Sequence, residues 1–250
     1  MWGETYAGVH GDMGSNGNII ANGASGTIFG NVTAGPNATF SGGAQVYGST
    51  TSATAVNALP SVIYTPPATN NNSSVSTISS SGAITGNTTL PTGVYRLSSI
   101  SGGLITITGQ VKIYMDGDIN LTSKTAGITI ASGGSLEIYT GNTSIDLSGQ
   151  GVLNPSGMPG KFKVFSGATS GRVVDLTGNS SIVGAVYAPD AEVRVAGNGQ
   201  CFGSIVGNTI TLSGGGSRGG FHYDEALGLG DDTLIKYSIQ SLRTTIVQSY

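Results

Sequence analysis

Ile105-Thr106-Ile107-Thr108-Gly109 decides the fold once it is set beside five later stretches of the same kind. These are Ile128-Thr129-Ile130-Ala131-Ser132, Ile145-Asp146-Leu147-Ser148-Gly149, Val174-Asp175-Leu176-Thr177-Gly178, Val193-Arg194-Val195-Ala196-Gly197 and Ile210-Thr211-Leu212-Ser213-Gly214. In each, the first and third residues are aliphatic and the second is polar. An extended chain sends successive side chains to opposite faces, so the aliphatic pair points one way and the polar residue the other. A small residue follows where the chain bends sharply, often through positive φ. The starts lie 23, 17, 29, 19 and 17 residues apart.

A second kind of strand lies between them: Val111-Lys112-Ile113-Tyr114, Leu136-Glu137-Ile138-Tyr139, Phe162-Lys163-Val164-Phe165 and Gly184-Ala185-Val186-Tyr187. Two strand types interleaved at this period match the coils of a parallel β-helix, with insertions at the longer spacings. One coil cannot bury its aliphatic face alone, so stability has to come from stacked neighbours. The expected fold is all-β, a right-handed parallel β-helix (β-solenoid) with a small mixed C-terminal cap.

Four segments follow from this pattern. Residues 1–49 are expected to form N-terminal coils, because Ile28-Phe29-Gly30-Asn31-Val32 echoes Ile182-Val183-Gly184-Ala185-Val186, and Gln45-Val46-Tyr47-Gly48-Ser49 echoes Gln200-Cys201-Phe202-Gly203-Ser204. Residues 50–92 carry Pro60, Pro66, Pro67, Pro91 and the run Asn70 to Ser74, which reads as a linker or an excursion draped over the body. Residues 93–220 form the main β-helix. Residues 221–250 are the cap, in which Asp231-Asp232-Thr233 suits a helix start and Ile235-Lys236-Tyr237-Ser238-Ile239 alternates like a strand.

Composition narrows the function. Charged residues are 9% of the chain, against about 25% in ordinary domains. Glycine supplies 42 of 250 residues, yet β-branched residues recur in alternating runs, which separates the chain from disordered sequences. Ten scattered Lys and Arg and a net charge of −3 make no phosphate-neutralising patch, so no nucleic-acid partner is expected. No apolar run is long enough to span a membrane as a helix, and Met1-Trp2-Gly3-Glu4 reads as an engineered or processing start. Cys201 is a lone cysteine in an apolar strand and is expected in the core.

Candidate sites are few. The residues closing the second strand type, Tyr114, Tyr139, Phe165 and Tyr187, should form an outward aromatic stripe. Such a stripe could bind sugar rings or a partner surface, or pack beneath residues 50–92 or the cap. The polar positions of the first type read Thr106, Thr129, Asp146, Asp175, Arg194 and Thr211. There Asp146 and Asp175 could share a proton or a cation, against the reading that Asp175 pairs with Arg194 and Asp146 is solvated. Lys112, Glu137 and Lys163 suit a salt-bridged face. Asp116-Gly117-Asp118 and Asp231-Asp232 are too short to hold Ca²⁺ and read as turns. His222, beside Tyr223, Asp224 and Glu225, reads as the close of the last coil, since no nucleophile motif accompanies it. No catalytic residue, metal or cofactor is expected.

Tyr187-Ala188-Pro189-Asp190-Ala191, the run Gly203 to Gly214 and Phe221-His222-Tyr223-Asp224-Glu225-Ala226-Leu227 together resemble the uncharacterised β-helical domain of bacterial cell-envelope proteins. That domain often follows a minor-pilin-like anchor in pilus-assembly proteins. This sequence lacks the hydrophobic anchor helix. The resemblance covers residues 94–227 and brings no catalytic residues with it. It implies a non-catalytic extracellular structural or adhesive module on a bacterial surface, with surface or pilus proteins or glycans as partners and a homo-oligomer as a further possibility. The alternatives are a self-assembling filament subunit, an ice-binding face and a carbohydrate-active β-helix. The charged residues Asp146, Asp175 and Arg194 are expected to interrupt an ice-binding Thr ladder.

Overall fold

The computed structural model describes residues 13–22, 27–28, 30–169, 171–178, 181–196, 201–213, 220–223 and 227. Among these residues the chain is all-β, and every strand pair is parallel. Two single 3-10 turns, Asn72–Ser74 and Pro159–Lys161, lie between strands.

The body strands group into three ladders, and Met13–Gly14, Val32–Ala34 and Thr50–Ser52 form a separate three-stranded sheet. In the aromatic ladder, Gly93–Leu97 pairs with Gln110–Met115, which pairs with Ser135–Thr140 and then with Phe162–Ser166. In the threonine ladder, Thr88–Leu90, Leu104–Ile107, Gly127–Ile130 and Val152–Leu153 lie in that order. In the isoleucine ladder, Ala83–Ile84 is followed by Ser99–Ile100, Ile119–Asn120, Ile145–Asp146 and Val173–Asp175. From Ala83–Ile84 to Ile145–Asp146, each strand therefore pairs with the strand three places further along the chain. The long strand Ile182–Ala196 then joins two ladders, pairing through Ala185–Tyr187 with the aromatic one and through Glu192–Arg194 with the isoleucine one.

The core is built from columns. Ile84, Ile100, Ile119, Ile145, Val174, Val193, Ile210, Ile19 and Phe40 succeed one another across the register of the isoleucine ladder. All but Phe40 are fully buried. Burying one such side chain contributes about 1.5–3 kcal/mol, so the repetition of the column, and no single contact, holds the ladder. Ile107, Leu147 and Leu176 join the same core, and Val195 packs against it.

The first strand type separates into two ladders. Thr106 pairs with Thr129, with Thr89 before them and Leu153 after. Asp146 instead lies between Asn120 and Asp175, and Asp175 is followed by Arg194. The expected single polar row is thus two rows on different ladders. Both use the same aliphatic–polar–aliphatic code, and the code carries no information about which ladder a strand joins.

The N-terminal strands extend the stack at its C-terminal side. Ile19–Asn22 pairs with the end of Cys201–Ser213, and Thr27–Ile28 pairs with Gly220–Tyr223. Outward from these lie Phe40–Gly42 and Gln45–Val46. The sequence echo becomes a physical column of Ile182, Cys201, Phe221, Ile28 and Val46. From Ala53 the chain runs back along the body as a strap and reaches its other end, where the first three-strand repeat starts at Ala83. The expected cap beyond Tyr223 falls outside the described residues, apart from Leu227, which is buried.

Candidate functional site

The aromatic stripe assembles in the expected register. Arg96, Tyr114, Tyr139, Phe165, Tyr187 and Val206 follow one another across the ladder. The rings stack face to face, with Tyr114 and Tyr139 at 5.0 Å and 13°, and Tyr139 and Phe165 at 4.9 Å and 15°. Such offset stacks stabilise by about 0.5–1.5 kcal/mol beyond simple burial.

The strap covers this stripe. Leu59 and Val62 pack against the cluster of Phe165, Tyr187 and Val206. The Tyr187 hydroxyl donates to the Pro60 carbonyl at 2.6 Å, and the Ser61 hydroxyl donates to Asp190 at 3.4 Å. Further along, Tyr64 lies 6.3 Å from Tyr114 and donates to Asp116 at 2.8 Å, while Arg96 Nε donates to the other oxygen of Asp116 at 2.8 Å. Phe165 and Tyr187 are therefore buried, and the stripe offered to sugars in the sequence reading is occupied over these two rings by the chain itself. Burial and the nearby Asp190 charge push the Tyr187 hydroxyl up to about 12. For Asp116, partial burial works against ionisation, but hydrogen bonds from Arg96 and Tyr64 and the Arg96 charge together hold the carboxyl below its ordinary range.

Asp146 and Asp175 are adjacent across the ladder, as a proton-sharing pair would need. Each is committed elsewhere. Asp146 Oδ1 accepts from the Ser148 amide and Asp175 Oδ1 from the Thr177 amide, both at 2.9 Å, which fixes the turn that follows each strand. The guanidinium of Arg194 forks onto Glu192 of its own strand, with both contacts at 2.8 Å. Arg194's hydrogen bonds thus go to Glu192, which lies two residues away on the same side of the strand and presents both oxygens to the fork, while Asp175, its register neighbour, acts on it through charge alone. The Thr211 hydroxyl also donates to Glu192. Its hydrogen bond with Arg194 leads the effects that hold Glu192 below its ordinary value.

Lys112 and Lys163 flank Glu137 at 3.0 and 3.8 Å, as the alternating signs predict. Asp118 accepts from the Ser144 amide of the next repeat. Cys201 is buried, and desolvation pushes its thiol up to about 12. Among the described residues no three His, Cys, Asp or Glu side chains gather as a metal site, and no helix is long and apolar enough to cross a membrane. The His222 side chain, its acidic neighbours, His10 and Asp231-Asp232 lie outside what the structure describes.

Two features escaped sequence reasoning. Pro189, Asp190 and Ala191 stand opposite Asn208 alone, so the register shifts there and the long strand changes ladder. A proline within a strand marks such a bulge, and it was the available signal. The second is a groove of about 470 Å³ where Ser74–Thr77 faces Thr89, Pro91, Leu104 and Thr106. It depends on the strap's fold, which no local pattern encodes.

A family model described as a domain of unknown function, DUF7305, matches residues 61–229. The chain belongs to this family. No curated protein and no solved structure matches the chain. The DUF7305 match starts within the strap, one residue beyond Pro60, and runs through the body. It leaves the strands of residues 13–52 outside, although Ile19–Asn22 and Thr27–Ile28 continue ladders of the body.

Proposed function

We propose that the three ladders are the faces of one right-handed β-solenoid, and that this rod serves as a non-catalytic extracellular structural or adhesive module on a bacterial surface, associated with a pilus. One observation carries the reading. All seven described carboxylates have structural partners: Asp116 with Arg96 and Tyr64, Asp118 with the Ser144 amide, Glu137 with Lys112, Asp146 and Asp175 with their turns, Asp190 with Ser61, and Glu192 with Arg194. Acid–base chemistry on a polysaccharide needs carboxylates that converge on a substrate. Here they are spread along the ladders and spent on holding turns and neighbouring repeats. The low charge and the stacked, strap-bound exterior suit a rigid spacer.

Fractionation of cells that make the native protein tests this. The chain is expected in the surface or extracellular fraction, with surface proteins or glycans as its partners. Recovery only as a cytoplasmic monomer would contradict the proposal, and polysaccharide turnover abolished by Asp175→Asn would revive the enzymatic alternative. A second reading gains support from the register. Thr89, Thr106 and Thr129 form a row to which Asp146, Asp175 and Arg194 do not belong, which removes the main objection to an ice-binding face. Thermal hysteresis abolished by Thr106→Arg would favour that reading, and no hysteresis would end it.

A further inference from the structure

We propose that the groove between Ser74–Thr77 and the first strands of the threonine ladder binds a neutral saccharide, a short stretch of an uncharged glycan. The groove holds about 470 Å³, within the roughly 300–1,000 Å³ of small-molecule sites. The stripe of rings expected to take sugars is closed by the strap over Phe165 and Tyr187, whereas Ser76, Thr77 and Thr89 in the groove are exposed.

Lining chemistry selects the ligand class. None of the ten residues around the groove carries a charge, so nothing there compensates a phosphate, a carboxylate or a cation. The hydroxyls of Ser76 and Thr77 belong to the strap wall and those of Thr89 and Thr106 to the ladder wall. Thr89 and Thr106 are register neighbours on strands about 4.8 Å apart. Among the described residues no protein group hydrogen-bonds these four hydroxyls. Asn87 spends its Oδ1 on the Leu104 amide at 2.8 Å, which holds the side chain in place and leaves its Nδ2 to donate. A hydroxyl both donates and accepts, as the hydroxyls of a sugar do, so free hydroxyls on facing walls match a polyol. Pro91 and Leu104 add apolar surface for the C–H face of a sugar ring.

Both walls are held before any ligand arrives. On the strap side Val75 and Ile78 are buried in the core, and the Ser74 hydroxyl donates to the Asn71 carbonyl at 2.7 Å. Asn71 is tied to the edge of Gly93–Leu97: its Oδ1 accepts from the Val94 amide at 2.8 Å, and its own amide donates to the Val94 carbonyl at 2.7 Å. The other wall is paired sheet. Walls fixed in this way lose little freedom on binding. No aromatic ring lines the groove, so affinity rests on hydrogen bonds exchanged with water and is expected at about 1 mM. Thr129, the next member of the threonine row, lies outside the groove and serves as a control. A glycan seated here is the partner that the adhesive role calls for, so the assignment rests on that reading for its biological sense.

Titration of the isotope-labelled full chain, followed by amide NMR, decides the matter. The probes are neutral tetrasaccharides of glucose, galactose, mannose and N-acetylglucosamine, with tetragalacturonate as the acidic control. At least one neutral sugar is expected to shift the amides of Ser76, Thr77, Thr89 and Thr106 saturably. Thr89→Val and, separately, Ser76→Ala/Thr77→Val alter exposed positions only and are expected to weaken that binding about fivefold or more, while Thr129→Val leaves it unchanged. No shift at these amides with any neutral sugar would overturn the proposal. So would tighter binding of tetragalacturonate, or equal affinity in the wild type and both groove variants. A chain that fractionates with the cell surface but fails this titration loses the site and keeps the surface role. One that passes it and is found only in the cytoplasm keeps the site and loses that role.

Discussion

Gly184 and Gly203 show how tightly the stack restricts a single position. They pair across the register, and a Cβ on Gly203 would lie 1.8 Å from the Gly184 carbonyl oxygen, at φ +139°. A Cβ on Gly184 would meet the ring of the fully buried Phe162 at 2.4 Å. Gly203→Ala is therefore expected to destabilise by about 3 kcal/mol or more, read as a lower denaturation midpoint; a change below 0.5 kcal/mol would contradict the close approach. Cys201 should resist alkylation at pH 8 in the folded protein and react on unfolding, because burial raises its thiol. Asp116 gives a pH test. Its folded carboxyl titrates below its unfolded value, so its contribution is present above the ordinary carboxylate range and is lost as pH falls through the folded value. The Tm difference between wild type and Asp116→Asn should be present at neutral pH and close in acid. Cys201's place in the core was legible from its apolar neighbours. The Arg194–Glu192 fork was not, because the sequence shows which charges share a strand face but not which way a long side chain turns.

Among elements, the strap and the aromatic ladder depend on each other. The ladder was legible to the residue, since strict alternation determines both the spacing and the side on which Tyr114, Tyr139, Phe165 and Tyr187 emerge. The cover was legible only in outline. Proline and asparagine marked residues 50–92 as an excursion, but its docking rests on contacts such as Tyr187 with Pro60 that are 127 residues apart. Leu59→Asp combined with Val62→Asp should free the strap, expose Phe165 and Tyr187 and raise the binding of an apolar dye, with the ladder strands retained in the circular dichroism spectrum. Unchanged dye binding would mean that the strap does not shield those rings. The division of the first strand type between two ladders had no local signal, because Ile105-Thr106-Ile107 and Ile145-Asp146-Leu147 present the same pattern to a core.

For the whole molecule, the echo between Ile28 and Ile182 pointed to N-terminal repeats, and both residues stand in one column. The echo did not reveal that these repeats stack beyond the last body repeat, so that residues near the start of the chain complete strands near its end. The column from Ile84 to Phe40 depends on that step, where Ile210 meets Ile19. Its outward neighbours Ile20 and Thr211 are paired in register, and parallel neighbours about 4.8 Å apart fall within the separation a disulfide requires. The decisive measurement is oxidation of the Ile20→Cys/Thr211→Cys protein carrying Cys201→Ser. One continuous stack predicts a disulfide within each monomer, formed without loss of folded structure. Failure to form it under oxidation, or formation only between molecules, would contradict the account.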